Sequence, residues 1–382
     1  MTYKQKNLQL QYPLAFWQAF AGQERVFWYD QQQNQLIIAA VRECKLQSED
    51  EIRDYPYVFM SFTFFEPTSM ENGSEFWQDF GNERLAFKHY FVQTPTKQTY
   101  YFSEQPREIM DIPVESFHHQ LTQMPENLSN WKKLFTQIQE NIQADKVKKV
   151  VASREVIFES STPFHIESIL QNLIRQNPAC ITFAYQKGNR TFLGSTPEIL
   201  VQKKGKYISS FALAGTISKT IPNAAQILLA DPKNRIEHQI VIDKIRKKMQ
   251  ENAETVSTGP THILDLKNVL HLKTALKAEN SERSLLDWVK ILHPTPALGG
   301  EPSEFALRLL RENEGYERGL YAAPIGIVAP DGDGTFAVGI RSALILDNQL
   351  HAFAGGGIVA NSQLDDELRE TQLKLKTILE AL

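Results

Sequence analysis

Short apolar runs separated by polar breaks fill the first part of the chain. Residues 26–29, 35–41, 58–62, 90–92 and 99–102 carry the alternating or continuous apolar pattern of strands, and the polar stretch 31–34 predicts a hairpin loop between the first two. The period then lengthens: Trp131, Leu134, Phe135, Ile138 and Ile142 fall on one helical face that ends near Asp145. Residues 146–158 read as a strand with Lys149, Val151 and Ser153 on a common face. A helix over 166–175, a hairpin turning at 187–189 and a strand over 207–214 that closes on Gly215 follow. Asp231-Pro232 opens a long helix reaching about Gln250, because proline is at home in a first helical turn. Beyond it the pattern predicts a strand at 269–274, helices over 281–292 and 302–311, and a hairpin turn at 331–334 leading into a strand over 336–343.

The last fifth combines both periods. Residues 353–359 are an apolar strand interrupted by Gly355, Gly356 and Gly357, where the missing Cβ atoms let backbone approach a ligand. A helix then starts, with Ser362 and Asp365 spaced as a capping box and Leu364, Leu368, Leu375, Ile378, Leu379 and Leu382 as its apolar stripe. Glu367, Glu370 and Lys374 lie on its other face, where two carboxylates and an ammonium could hold a metal and an anion. Taken alone, Glu370 and Lys374 are also an ordinary i, i+4 pair on a solvated helix.

Composition narrows the partners. The 382 residues, 42% hydrophobic and 23% charged, suit a folded chain with a large core. A net charge of -4 argues against nucleic acid or anionic membrane surfaces and for a small ligand. Cys44 and Cys180 are too few for a disulfide framework, and the N-terminus lacks a signal-peptide core, so a reducing cytoplasm, a monomer and no membrane contact are the expectations.

Several residues stand where chemistry could use them. Glu198 follows Pro197 in a break between strands and is fixed rather than mobile. Lys149 beside valines is either partly desolvated or a strand-edge guard against aggregation. Arg341 sits among apolar residues, where a carboxylate partner is expected to offset its burial. Glu237-His238 lacks the second histidine of a zinc motif, and residues 331–342 lack the final glutamate of a calcium loop. The adjacent His118 and His119 point apart on regular structure and make no metal site.

These motifs, in order, resemble those of chorismate-utilising enzymes, specifically the isochorismate synthases. The resemblance rests on 149–154, 195–198, 213–216, 235–238, 293–300, 341–343 and 355–374, and covers the chain from Trp131 onward. It implies an α+β fold of two large, mostly antiparallel β-sheets with outer helices and the active site between them. Residues 1–125 would be a β-rich part of the scaffold and 126–382 the chorismate-binding part, together one structural unit. The implied reaction adds water at C2 of chorismate with departure of the C4 hydroxyl. By the resemblance Lys149 is the general base and Glu198 the general acid, which calls for a lysine pKa below ~10.4 and a glutamate pKa above ~4.3. It further implies Mg2+ on Glu237 and Glu370 with Glu367 in an outer shell, and the enolpyruvyl carboxylate on Arg341 and Tyr321. Lys374 and the amides after Gly215 (that of Thr216) and Gly355 would meet carboxylate oxygens, and His271, Thr274 and Ala297 would line the site. The lysine at 149 favours water over ammonia as nucleophile, and Ala297, where salicylate synthases tend to carry threonine, favours release of isochorismate. A catecholate siderophore is the expected destination, menaquinone the second.

Overall fold

The computed structural model describes residues 2–66, 75–78, 80–126, 128–279 and 283–382. Every strand pairing among them is antiparallel, and the strands form one hydrogen-bonded network with two wings. The wings meet at Glu83–Gln93, whose first residues pair with Val58–Ser61 and whose last pair with Gln98–Phe102.

From that junction the first wing runs through Gln35–Lys45, Arg25–Asp30, Ile181–Lys187, Arg190–Thr196, Ser342–Leu346 and Gln349–Ile358 to Lys149–Ser160. The second runs from Val58–Ser61 through Pro324–Val328, Gly334–Val338, Ile199–Lys204 and Tyr207–Ser218 to Val269–Glu279. The expected pair of sheets is therefore present, joined by a shared strand. Strands from before residue 125 pair directly with strands after it in both wings, as Arg25–Asp30 does with Ile181–Lys187.

The largest core cluster, with Trp28, Phe59, Trp288 and Phe336, includes residues of both wings. A second packs the helix Ile166–Gln176 and the C-terminal helix Leu364–Leu379 against the first wing through Ile169, Leu170, Leu375 and Ile378. Burying such side chains contributes roughly 1.5–3 kcal/mol each. No described helix is long and apolar enough to cross a membrane.

Local departures from the sequence pattern concentrate near the cleft. The helix expected from 281 is described as Leu285–Leu292, capped by Ser284; residue 281 lies outside the described residues. The apolar run 336–343 is two strands, Gly334–Val338 and Ser342–Leu346, broken where Arg341 takes a left-handed φ of 51°. Ser362 is not a cap: Gln363 holds that position without a side-chain bond, while the Ser362 hydroxyl accepts from Val359 N at 3.1 Å and donates to Glu367 at 2.6 Å. A buried carboxylate competes for that hydroxyl more strongly than a solvated helix end does.

Candidate active site

The cleft lies where the inner ends of the two wings face each other. Its walls include Glu198, Gly215, Thr216, Glu237, His271, Ala297, Tyr321, Arg341, Gly355 and Lys374, and it encloses about 660 Å3, part of it open to solvent. Lys149, Glu367, Glu370 and Thr274, expected beside them, are not among the lining residues. Lys149 and Glu370 reach the cleft through their partners Glu237 and Lys374, Glu367 is paired with Lys233, and the Thr274 hydroxyl is shared between His238 Nε2 at 2.8 Å and Thr261 at 2.7 Å.

Lys149 begins the strand Lys149–Ser160 and is fully buried, paired through its backbone with Gly300–Glu301 on one side while the strand's other edge meets Gln349–Ile358. The edge-guard reading of this lysine is thus excluded. Its ammonium is 2.9 Å from Glu237 Oε1 but off the hydrogen-bond line, so no aligned acceptor satisfies it. Gly357 makes this approach possible: a Cβ there would run into Glu237 Oε1 and sit 2.8 Å from Lys149 Cε.

Glu198 enters from the second wing, its backbone carbonyl accepting from Val338 N at 2.9 Å. Burial pushes its carboxyl up to about 7, against the pull of Lys149, Lys374 and Arg341 in that order. Those opposing charges place three cations around one acid that is half neutral near pH 7.

Among the described residues Arg341 has no carboxylate within hydrogen-bond reach, contrary to expectation. Its Nη2 lies 2.7 Å from His271 Nε2, and His271 Nδ1 lies 3.1 Å from Gly215 O and 3.1 Å from Thr216 Oγ1. Burial and the adjacent guanidinium hold His271 far below its usual pKa, so it is neutral, donating from Nδ1 to Gly215 and accepting at Nε2. A guanidinium with a neutral partner keeps its charge available to an incoming anion. Tyr321 stacks on Phe353 with centroids 5.1 Å apart, and a Cβ on Gly355 would sit 3.2 Å from its hydroxyl.

The C-terminal helix supplies the other charges. Lys374 meets Glu370 Oε1 at 2.7 Å and donates to Gly355 O at 2.7 Å. Burial raises the Glu370 pKa, but Lys374, Lys233 and the Thr216 hydroxyl outweigh it and the net shift is downward. Lys374 lines the cleft with Glu370 as its partner, which overturns the solvated-helix reading. Glu367 is 1% exposed; its Oε1 accepts from Lys233 at 2.7 Å and Ser362 at 2.6 Å, while Oε2 has no partner. Burial and the neighbouring Glu370 push Glu367 up to about 7. The amide of Thr216 is already bonded to Asn234 Oδ1 at 2.9 Å, so the expected free donor after Gly215 is taken.

No group of three or more acidic, histidine or cysteine side chains among the described residues is already gathered as a cation cage. Glu237, Glu367 and Glu370 instead each hold a lysine. The donor set still suits a small hard cation. The oxygens are carboxylates, Glu367 Oε2 is unsatisfied, and a Cβ on Gly356 would close the space beside it at 2.9 Å. Magnesium sites need only one or two carboxylates, the rest being water and ligand oxygens.

Sequence reasoning missed Arg318, which lines the cleft and is braced by Glu314. The available signal was their i, i+4 spacing, indistinguishable in sequence from a surface pair.

A family model described as chorismate binding enzyme matches residues 101–382, and the chain belongs to that family. The isochorismate synthase MenF of Bacillus subtilis is 37% identical over 261 residues, 66% of this chain and 55% of the relative. The isochorismate synthase EntC of Escherichia coli K12 is 33% identical over 243 residues, 61% of this chain and 62% of the relative. The matched stretch thus spans less than two thirds of either relative's own length. The fold matches the structure of MenF, the menaquinone-specific isochorismate synthase from Escherichia coli, with a TM-score of 0.85 at 22% identity, covering 99% of this chain and 94% of that one.

Proposed function

We propose that the protein is a magnesium-dependent isochorismate synthase, converting chorismate to isochorismate. The observation that carries this reading is the pairing of a buried ammonium, Lys149, with a buried carboxyl, Glu198, held near neutrality on the opposing wing. Isomerisation by water addition needs that arrangement. Lys149, once deprotonated, takes a proton from the water attacking C2, and Glu198, protonated, gives one to the departing C4 hydroxyl. Family membership and the names of the relatives support the substrate and the reaction.

Binding follows from charge. Arg341, whose hydrogen-bond partners His271 and Thr377 are both neutral, and Tyr321 hold the enolpyruvyl carboxylate. Glu237 and Glu370 would hold Mg2+, which when bound neutralises the ring carboxylate and raises the electron demand of the ring. The site already sets Lys149, Lys233, Lys374 and Arg341 against Glu198, Glu237, Glu367 and Glu370. A dianionic substrate therefore needs a companion dication, or two negative charges are buried unpaired.

Ala297 leaves the cleft's loop wall without a hydroxyl, which suits a product released with its enolpyruvyl group intact. The relatives' names cover both menaquinone and siderophore routes at comparable identity, so siderophore supply gains no advantage over menaquinone supply. The test is incubation with chorismate and Mg2+, resolved by chromatography. Isochorismate without salicylate or pyruvate is expected; stoichiometric pyruvate would assign a lyase instead, and unconsumed chorismate a binding protein without turnover.

A further inference from the structure

A polar cluster that the reaction chemistry does not use reaches the cleft wall at Arg318 and runs back from it. Arg318 is 1% exposed and Glu314 7%. The guanidinium meets the carboxylate fork to fork, Nε to Oε2 at 2.6 Å and Nη2 to Oε1 at 2.6 Å. Glu314 Oε1 also accepts from Ser153 N at 2.7 Å and from Ser153 Oγ at 2.6 Å. The remaining guanidinium bonds go to backbone: Nη1 to Leu298 O at 3.0 Å and Nη2 to Val151 O at 2.8 Å. The flat face of the guanidinium lies over Phe64, 4.2 Å from its centroid.

A buried ion pair is weak evidence of stabilisation, since apolar residues of similar volume often do as well. What this one does is geometric. Val151 lies two residues from Lys149 on the same strand, and Leu298 follows Ala297 in the loop that walls the cleft. Ser153 is two residues further along that strand and in register with Gly355. The strand already meets the end of that loop through its backbone, Val151 N to Gly299 O at 2.8 Å and Lys148 N to Glu301 O at 2.7 Å. One rigid, planar cation, its own position fixed by Glu314, extends this contact to Leu298, beyond the reach of the ladder.

We propose that Arg318 is a positioning residue for the reaction: it fixes how the Ala297-Leu298 part of the loop sits against the Lys149 strand, and so the placement of the substrate ring against the amine. This rests on the isochorismate synthase reading. Lysine at 318 retains charge but cannot reach Glu314, Val151 and Leu298 together. Misplacing a reacting group by about 1 Å costs on the order of 100-fold in rate.

The experiment compares Arg318→Lys and Ser153→Ala with wild type, kcat being expressed per active site after titration and folding checked by thermal melting. A folded R318K is expected to lose about 10- to 100-fold in kcat with KM for chorismate within about threefold, because Arg341 and the carboxylate contacts stay in place. S153A, which keeps every charge and removes the hydroxyl's two contacts, to Glu314 and to Tyr316 at 2.6 Å each, is expected to lose about threefold or more in kcat with KM unchanged. Wild-type kcat in folded R318K, or a loss explained wholly by fewer active sites or by higher KM, overturns the proposal. If R318K does not fold, S153A decides, and wild-type kcat there overturns it. A wild type that makes no isochorismate overturns the functional reading and this inference together, whereas an active wild type with unaffected variants overturns the inference alone.

Discussion

At the scale of single residues, Glu198 shows how stability and chemistry trade against each other. Its carboxyl is near 7 in the folded chain and near 4.5 as a free group. Between those values the folded state binds the extra proton, so the group's contribution to stability falls as pH rises from about 4.5 to 7, by on the order of 3 kcal/mol. Glu198→Gln is therefore expected to melt higher than wild type at pH 8, the gap closing toward pH 5. The same substitution is expected to lower kcat by about 100-fold or more, since the proton donor is gone. Wild-type kcat is expected to decline as pH rises through about 7, when the acid ionises. A pH profile that stays flat to pH 9 would remove Glu198 from this role. Gly357 offers a steric counterpart: Gly357→Ala pushes on Glu237 Oε1 and on Lys149 Cε, and loss of turnover with retained fold is expected. Of this residue-level detail, motif resemblance singled out Lys149, Glu198, Glu237 and Glu370, and the structure sets Lys149 against Glu237 and Glu370 against Lys374. The partner of Arg341 was not legible, because His271 is 70 positions away and a neutral acceptor leaves no charge pattern to read.

At the scale of elements, alternation and spacing placed the strands and helices well, and failed where tertiary contacts outbid local preference. Val338-Gly339-Ile340 reads as uninterrupted strand, yet Arg341 adopts a left-handed backbone so that its side chain reaches His271. Ser362 has the spacing of a cap but serves Glu367. The C-terminal helix is held in phase by Arg154, whose Nε donates to Thr371 Oγ1 at 2.8 Å and whose other nitrogens meet Glu126 and Gln372. Thr371 lies between Glu370 and Lys374, so this contact fixes which way both charges face. Thr371→Val keeps the shape and deletes the acceptor for a buried guanidinium. A loss of about 1–3 kcal/mol is expected in denaturant unfolding, together with weaker Mg2+ binding by calorimetry. Unchanged Mg2+ affinity would mean that Arg154 only stabilises the helix.

At the scale of the whole molecule, the two wings bring a set of near-balanced charges to one cleft, and the balance dictates how ligands arrive. Glu237, Glu367 and Glu370 are each occupied by a lysine in the free protein. A divalent ion alone must compete with those ammonium groups, and a dianion alone must enter beside carboxylates, so each is expected to bind weakly. Together they bring no net charge: under the proposed function Glu237 and Glu370 would hold the ion, and the ammonium groups they release would be free to face the substrate's carboxylates. Binding should therefore be cooperative, and reciprocally so. The unreactive Glu198→Gln protein makes this measurable without turnover. Chorismate or Mg2+ singly is expected to shift the melting temperature little. Both at about 100 times their joint dissociation constants should stabilise the fold by about 2.7 kcal/mol beyond what either gives. Calorimetric titration should find chorismate affinity raised by Mg2+ by the same factor as Mg2+ affinity is raised by chorismate. Additive shifts, with each ligand binding as well alone as in company, would show that the ion and the substrate do not share the carboxylate cradle beneath Gly356 and Gly357.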